Sequence, residues 1–217
     1  MTSNRPIVKV AAVQAAPVSF DLDKSLQKLS KLTEEAAAAG ADLVVFPCVN
    51  SIGASLLRLR LTKHREAFLS AYPWRYSFDT TIGAREPRGR KWFAKYFDSA
   101  VEVPSPAFDR LSETARANNI LLQVGIIEKA GGTLYCTALL LDREGKVVYK
   151  HRKVMPPTLP VVRARTDNQK LIPTAAERLV WGRGSGDGLQ VLQTDVGKVG
   201  SLIWSVVPNH RRAAQQS

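Results

Sequence analysis

The sequence predicts an α/β fold, in which helices pack against a mostly apolar sheet. Two observations predict it: runs of β-branched and aliphatic residues recur along the chain, and helical segments with one apolar side lie between them. The composition agrees, because 217 residues with 45% hydrophobic content suit one globular domain, or at most two. With 23% charged residues, the chain does not fit a disordered tail, a collagen-like fibre or a coiled coil.

The first predicted unit is a strand, a helix and a second strand. Residues 7–15 (IVKVAAVQA) are apolar and β-branched, which predicts a strand buried on both faces. Asp21 or Asp23 offers an N-cap for the following helix, and Gly40 ends it. Residues 42–46 (DLVVF) predict the second buried strand. The apolar side of the helix recurs at three- and four-residue spacing: Leu26, Leu29, Leu32, Ala36 and Ala39.

A second helix and three further strands are predicted later in the chain. They are a helix at 106–118 and strands at 120–128, 134–142 and 146–151. Gly131-Gly132 predicts a hairpin turn between the first two of these strands, and Glu144-Gly145 turns the chain again.

The net charge of +12 is concentrated in three segments that differ from their surroundings. Residues 48–65, 154–170 and 204–217 together carry +8, so the rest of the chain carries only +4. Such a charge suggests nucleic acid as a partner, because clustered cations that bind a nucleic acid release its counterions. The three segments contain no RNA- or DNA-binding motif, so we expect no nucleic acid partner.

Neither a membrane segment nor a metal motif stands out. No run approaches the roughly 20 apolar residues of a membrane helix, and residues 1–5 are polar with no hydrophobic signal region behind them. We therefore expect a cytoplasmic protein that does not bind membranes. Cys48 and Cys136 cannot form a disulfide framework, and neither has metal-ligand spacing, so we predict no structural metal.

Eight segments carry a resemblance to a known family. They are VKVAAVQAAPVSFDLDKSLQK, EEAAAAGADLVVFP, EAFLSAYPWRYSFDTTIGAREPRGRKWF, SAVEVPSPAFDRL, GGTLYCTALL, KHRK, LIPTAAERLVWGRGSGDGLQV and VGKVGSLI. From about Val8 to Ile203 the chain resembles nitrilases of the carbon-nitrogen hydrolase superfamily. The resemblance implies an αββα sandwich, a four-layer α/β fold, with its C-terminal part missing. It places the domain at residues 7–204, interrupted at 48–65 and 154–170, with a tail at 205–217 outside the family.

The resemblance also implies a catalytic set of glutamates, a lysine and a cysteine. Glu66 matches the general base, although 18 residues separate it from Pro47, where the family's strand ends. Lys153, the last residue of K-H-R-K, matches the lysine that stabilises transition states, and Glu177 in T-A-A-E-R matches the supporting acid. The nucleophilic cysteine should follow G-S-L-I, but Trp204 stands there.

These residue types suit hydrolysis of an organic nitrile to a carboxylic acid and ammonia. A thiolate adds to the weakly electrophilic nitrile carbon, which divides the reaction into formation of a thioimidate and hydrolysis of a thioester. One carboxylate takes the thiol proton, an ammonium stabilises developing negative charge, and a second carboxylate keeps that ammonium protonated. No metal or organic cofactor is required. The resemblance implies a small-molecule nitrile as substrate, and a homo-oligomer or association with homologues.

Several alternatives stay open. An amidase or carbamoylase of the same superfamily shares this residue set. Without the nucleophile we expect the chain to be inactive, and a catalytically dead partner of an intact homologue is a further hypothesis. Cys48 cannot replace a carboxylate base, and Cys136 is expected to be a small core residue. The alternating glycines at 182–188 do not follow a strand and open a helix, so they do not predict a nucleotide-binding loop.

One hypothesis explains the two interruptions and the tail together, namely that they are translated introns. Removing residues 48–65 restores F-P-E-A-F, and removing residues 154–170 restores H-R-K-L-I-P. Splicing after the first two bases of the Trp204 codon leaves TG, from which a downstream C or T restores the cysteine. The competing explanation is real insertion and truncation in a decaying pseudoenzyme.

Overall fold

The computed structural model describes residues 7–46, 68–69, 86–153, 180–188 and 190–201. Within these ranges the chain forms three helices and eight strands. The helices are α1 (Leu22–Ala38), α2 (Pro87–Asp98) and α3 (Pro106–Ala117). The strands are β1 (Val10–Ala12), β2 (Leu43–Phe46), β3 (Val101–Glu102), β4 (Leu121–Ala130), β5 (Thr133–Leu141), β6 (Val147–Arg152), β7 (Val191–Thr194) and β8 (Gly197–Gly200).

Six of these strands form one mixed sheet. Its order is β1-β2-β4-β5-β6, and the short β3 pairs with the far end of β4. The β1, β2 and β4 strands are parallel, whereas β5 is antiparallel to both β4 and β6. The carboxyl ends of β2, β4 and β6 therefore lie at the same edge of the sheet. The β7 and β8 strands form a separate antiparallel hairpin.

The predicted α/β fold is confirmed, and several local signals act as expected. Asp21 caps α1, because its side chain accepts a hydrogen bond of 2.9 Å from the Lys24 backbone N–H. Gly40 follows the end of α1 with a φ of +82°, a conformation that favours glycine. Gly131 and Gly132 also have positive φ and connect β4 to β5 as a tight hairpin.

The prediction for β1 was wrong in two respects. The strand covers Val10–Ala12 rather than residues 7–15, and it is not buried on both faces, since Val10 is 56% exposed. Ala11 and Val13 are only half-buried against the core. The reason is position: β1 is the edge strand of the sheet and pairs only with β2 among the described strands. An edge strand needs only one apolar face, which the run of aliphatic residues does not reveal.

The two faces of the six-stranded sheet pack against different layers. The first, the α1/α3 face, buries Val44, Phe46, Leu122, Val124 and Leu139 against α1 and α3. The second, the hairpin face, buries Leu43, Leu121, Leu140 and Tyr149 against residues of the β7–β8 hairpin. Tyr96 of α2 packs on the hairpin face as well, beside Ile127, Cys136 and Ala138. The described residues thus form three layers: α1 with α3, the six-stranded sheet, and the β7–β8 hairpin with α2.

A buried carboxylate joins β4 to β6 on the α1/α3 face. Glu128 is 1% exposed and accepts hydrogen bonds of 2.7 and 2.8 Å from the Arg152 guanidinium, with further bonds from Lys150 and Thr137. Burial alone raises the pKa of Glu128, but the bonds from Arg152, Lys150 and Thr137 outweigh it and hold the pKa below its ordinary value. We call these four residues the Glu128 clamp.

His151 points to the opposite face of β6 and is also buried. It is 3% exposed, and its Nδ1 has no hydrogen-bond partner among the described residues. Burial lowers the pKa of His151 below its ordinary value of 6.5, because the charged imidazolium is disfavoured there. The folded chain therefore carries this histidine in its neutral form at neutral pH.

The first prediction concerns the Glu128 clamp. We expect Glu128→Gln to lower the free energy of unfolding by about 2 kcal/mol at pH 7, because it removes the charge that pairs two cations. The carboxylate contributes fully above the ordinary value of 4.5, and its contribution is lost as the pH falls through the lower folded-state pKa. Urea denaturation of both proteins at pH 7 and pH 4 measures the difference in the free energy of unfolding, which should be smaller at pH 4.

Glu113→Gln is the matched control for this experiment. Glu113 pairs with Arg116 at the surface, where their side chains are 56% and 66% exposed. We expect it to change the free energy of unfolding by less than about 0.5 kcal/mol. Equal losses in the free energy of unfolding for Glu128→Gln and Glu113→Gln would contradict a stabilising role of the Glu128 clamp.

The second prediction concerns His151. Below pH 6.5 the unfolded chain takes up a proton that the folded chain binds only at lower pH, so stability falls on acidification. The slope approaches about 1.4 kcal/mol per pH unit in this window. His151→Leu, which cannot titrate, should reduce the fall in the urea midpoint between pH 7.5 and 5.5. An unchanged fall in this variant would show that other groups cause it.

Candidate active site

Lys153 lies directly after β6, at the edge where the carboxyl ends of β2, β4 and β6 meet. It is 5% exposed, which is unusual for a lysine. Its backbone N–H donates to the Cys136 carbonyl at 2.8 Å, and its carbonyl accepts from the Gly184 N–H at 2.9 Å. The backbone of this lysine is therefore fixed on both sides.

The K-H-R-K motif divides its side chains between the two faces of the sheet. Side chains alternate along a strand, so Lys150 and Arg152 share the α1/α3 face with Glu128. His151 and Lys153 lie on the hairpin face. The two cations of the first pair bind a carboxylate, and the lysine of the second pair lies on the side of the candidate site.

An aromatic side chain lies against the lysine. The Lys153 Nζ is 5.3 Å from the centroid of the Trp181 ring, within the range of a cation–π interaction. Trp181 is 4% exposed, and its Nε1–H donates to the Tyr96 hydroxyl at 3.2 Å. An ammonium in such a water-poor environment stabilises negative charge more strongly than it would in water.

The glycines at 182–188 serve close packing against β6 and its neighbour. A Cβ on Gly184 would lie 2.2 Å from the Arg152 carbonyl oxygen, and one on Gly188 would lie 2.8 Å from the Lys150 carbonyl oxygen. Neither distance is possible, so only glycine fits. The stretch ends in a 3-10 turn, Gly186–Gly188, and leads into β7 rather than into a helix. Its role in the described structure is to bring the chain against β6.

The segment that follows Glu66 returns to the same edge of the sheet. The Phe68 N–H donates to the Gly125 carbonyl at 2.9 Å, and Leu69 forms a parallel bridge with Ile126. The rings of Phe46 and Phe68 lie 4.8 Å apart between centroids, so the segment continues beside the end of β2. Ile126 pairs with Thr137, which pairs with Arg152, and Leu69 therefore lies in the same row as the residue before Lys153.

The sequence predicted four site positions, and the structure describes one of them. Lys153 is placed as above, whereas Glu66, Glu177 and Trp204 lie outside the described residues, as does Cys48. The structure therefore does not test whether the glutamates approach the lysine. Cys136 is fully buried in the cluster that contains Tyr96 and Trp181, which confirms the prediction that it is a small core residue.

Sequence reasoning missed Glu128, Tyr96 and Trp181. Glu128 ends an apolar strand, where a carboxylate needs a partner, and the two cations of K-H-R-K that share one face were an available signal. Trp181 follows Glu177 by four residues within the resembling segment. No signal in the sequence indicates that Tyr96 on α2 reaches Trp181.

The described residues contain no group of three or more His, Cys, Asp or Glu side chains suited to hold a metal ion. Among those same ranges, no helix combines the length and the apolar character needed to cross a bilayer.

The comparison with known proteins begins with the sequence. Residues 9–205 match the profile of the family described as carbon-nitrogen hydrolase. A bifunctional nitrilase/nitrile hydratase of Nicotiana tabacum is 37% identical over 201 residues, which are 93% of this chain and 48% of the relative. An aliphatic nitrilase of Sinorhizobium fredii is 38% identical over 195 residues, which are 90% of this chain and 52% of the relative. The chain thus spans about half the length of these relatives.

Solved structures show the same fold. An amidase from Nesterenkonia sp. AN1 has a TM-score of 0.52 with 16% identity, over 89% of this chain and 56% of the amidase. At this identity the likeness concerns the fold alone, and it agrees with the αββα sandwich that the sequence implied. Since the family profile covers nearly the whole chain, and relatives share more than a third of its residues, the chain belongs to the carbon-nitrogen hydrolase family.

Proposed function

We propose that this chain carries the framework of a nitrilase-type site, of the kind that converts an organic nitrile to a carboxylic acid and ammonia. The observation that carries the proposal is Lys153, a buried lysine held by two backbone hydrogen bonds at the edge of the sheet to which the segment after Glu66 also returns. The similarity to plant and bacterial nitrilases at 37–38% identity supports a nitrile as substrate.

The proposed chemistry assigns one role to each residue type. A cysteine thiolate adds to the nitrile carbon, and the nitrogen takes up a proton to give a thioimidate. Water adds to the thioimidate, ammonia leaves, and a second water hydrolyses the resulting thioester to the acid and the free thiol. Glu66 takes the thiol proton and activates the waters, Lys153 stabilises the charged intermediates, and Glu177 orients Lys153.

We further propose that the 217-residue chain does not perform this reaction itself. The Nesterenkonia amidase has an active-site cysteine. Here Trp204 stands where the resemblance expects that residue, and Cys136 is fully buried within β5. The insertion at 48–65 also separates Glu66 from β2, and displacement of a catalytic group by about 1 Å can cost roughly a hundredfold in rate.

The third prediction is the absence of turnover. Incubating the chain with an arylaliphatic nitrile, an aliphatic nitrile and their matching amides should release no ammonia above the buffer blank. The amides test the alternative of an amidase or carbamoylase in the same experiment. Ammonia release that is proportional to the protein concentration would contradict the proposal. The variants Cys48→Ala and Cys136→Ala would then identify the nucleophile.

The fourth prediction concerns the gene. Sequencing the mature transcript across the codons for Pro47, Lys153 and Trp204 should show that the segments at 48–65 and 154–170 are absent and that the frame continues through a cysteine codon. The locus then encodes a complete nitrilase. If the transcript retains both segments, the intron explanation is wrong. The function must then be sought in binding, with association with an intact homologue as the first candidate.

A further inference from the structure

Lys153, Trp181 and Tyr96 form a connected set of buried side chains on the hairpin face. We propose that Trp181 is a positioning residue for Lys153: its indole face holds the ammonium at the sheet edge, and Tyr96 of α2 fixes the indole. The inference rests on the proposed role of Lys153, and it adds a residue from α2 to the site.

All three side chains are buried. Lys153 is 5% exposed, Trp181 is 4% exposed and Tyr96 is fully buried. An ammonium removed from water needs compensating interactions. The indole face, with Nζ at 5.3 Å from its centroid, offers one that requires no second charge. Tryptophan is the strongest of the aromatic partners for such a contact.

Both partners of this contact are held by the same strand. The Lys153 N–H donates to the Cys136 carbonyl at 2.8 Å, and the Gly182 N–H donates to the Leu134 carbonyl at 2.7 Å. Trp181 also bridges Leu134 in parallel fashion. Because Leu134 and Cys136 are two residues apart on β5, their side chains point to the same face, and the lysine and the indole arrive there together.

The third member fixes the angle of the ring. The Trp181 Nε1–H donates to the Tyr96 hydroxyl at 3.2 Å. Tyr96 is itself held by α2 and by an edge contact with Phe20, whose ring centroid lies 6.5 Å away. The position of α2 is thereby coupled to the lysine through two side chains.

Other titratable groups share this face and must be kept constant in a test. Among the described residues they are the Cys136 thiol, the neutral His151 and the Tyr96 hydroxyl. Substitutions at Trp181 leave these three residues unchanged, and they leave Glu66 and Glu177 unchanged in the sequence. A change in the ionisation of Lys153 then reports on the indole.

The test is competitive acetylation of the whole chain by trace acetic anhydride across a range of pH, with peptide mass spectrometry of Lys153. The midpoint of the pH profile reports ionisation, whereas the plateau at high pH reports access of the reagent. We expect Trp181→Leu to move the midpoint down by about one pH unit, equal to about tenfold more free amine at a fixed pH. Trp181→Phe should give a smaller shift, since its π face is smaller.

Lys95 and Trp92 provide a matched control in the same protein. Lys95 Nζ lies 5.1 Å from the Trp92 centroid, but Lys95 is on the exposed side of α2. We expect Trp92→Leu to change the acetylation of Lys95 at a fixed pH by less than about twofold, because water replaces the lost contact there.

An unchanged Lys153 midpoint in Trp181→Leu, with a lowered urea midpoint, would reduce Trp181 to a packing residue and overturn the proposal. If Trp181→Leu does not fold, Trp181→Phe decides in the same way, since a shift supports the proposal and none overturns it. The labelling does not depend on hydrolysis. If the chain does release ammonia, the proposed absence of turnover fails while the labelling result stands.

Discussion

The alternation of side chains along β6 is the constraint on which the candidate site depends. Four consecutive residues of K-H-R-K send two cations to the α1/α3 face and a histidine and a lysine to the hairpin face. A shift of the strand by one residue would exchange these positions and bury the wrong pair. The Glu128 clamp opposes such a shift, because Glu128 is bound by Arg152, Lys150 and Thr137 together.

The Glu128 clamp and Lys153 therefore depend on the same register of β6, although they lie on opposite faces of the sheet. Arg152 is bound through its side chain to Glu128, and the next residue is bound through its backbone to Cys136 and Gly184. These two backbone bonds fix the main chain of Lys153. Its ammonium lies against the Trp181 ring.

Much of the fold could be predicted because its signals are local. The Asp21 cap, the Gly131-Gly132 turn and the apolar runs of β4 and β5 each specify their own segment. By contrast, α2 was not predicted: its sequence PRGRKWFAKYFD mixes cations with aromatic residues, and only Gly89 and Tyr96 are buried. Contacts between distant segments were missed because no local signal in the sequence marks them. The exposure of β1 follows from its place at the sheet edge, and Tyr96 reaches Trp181 across 85 residues of sequence.

The site was predicted in part because a motif names residues without placing them. Lys153 was identified from K-H-R-K, and its burial is explained by bonds from β5 and Gly184 that no motif shows. Glu128 carried no motif of its own, and its importance is visible only once β4 and β6 are seen to flank β5. Pairing across a sheet is decided by the whole fold, so residues that act through it are the ones a sequence conceals.

If residues 48–65 and 154–170 are interruptions, as we propose, their places in the chain explain why the family resemblance survives them. Both begin just after the carboxyl end of a strand, at 48 after β2 and at 154 after β6. Lengthening a connection costs only about 0.6 kcal/mol for each doubling of its length, so the strands on either side still pair. Phe46 and Phe68 accordingly lie in contact although 21 residues separate them. The same edge, however, carries Lys153 and the segment after Glu66. The proposed insertions, which the sheet would tolerate, therefore fall where the proposed catalysis depends most closely on geometry.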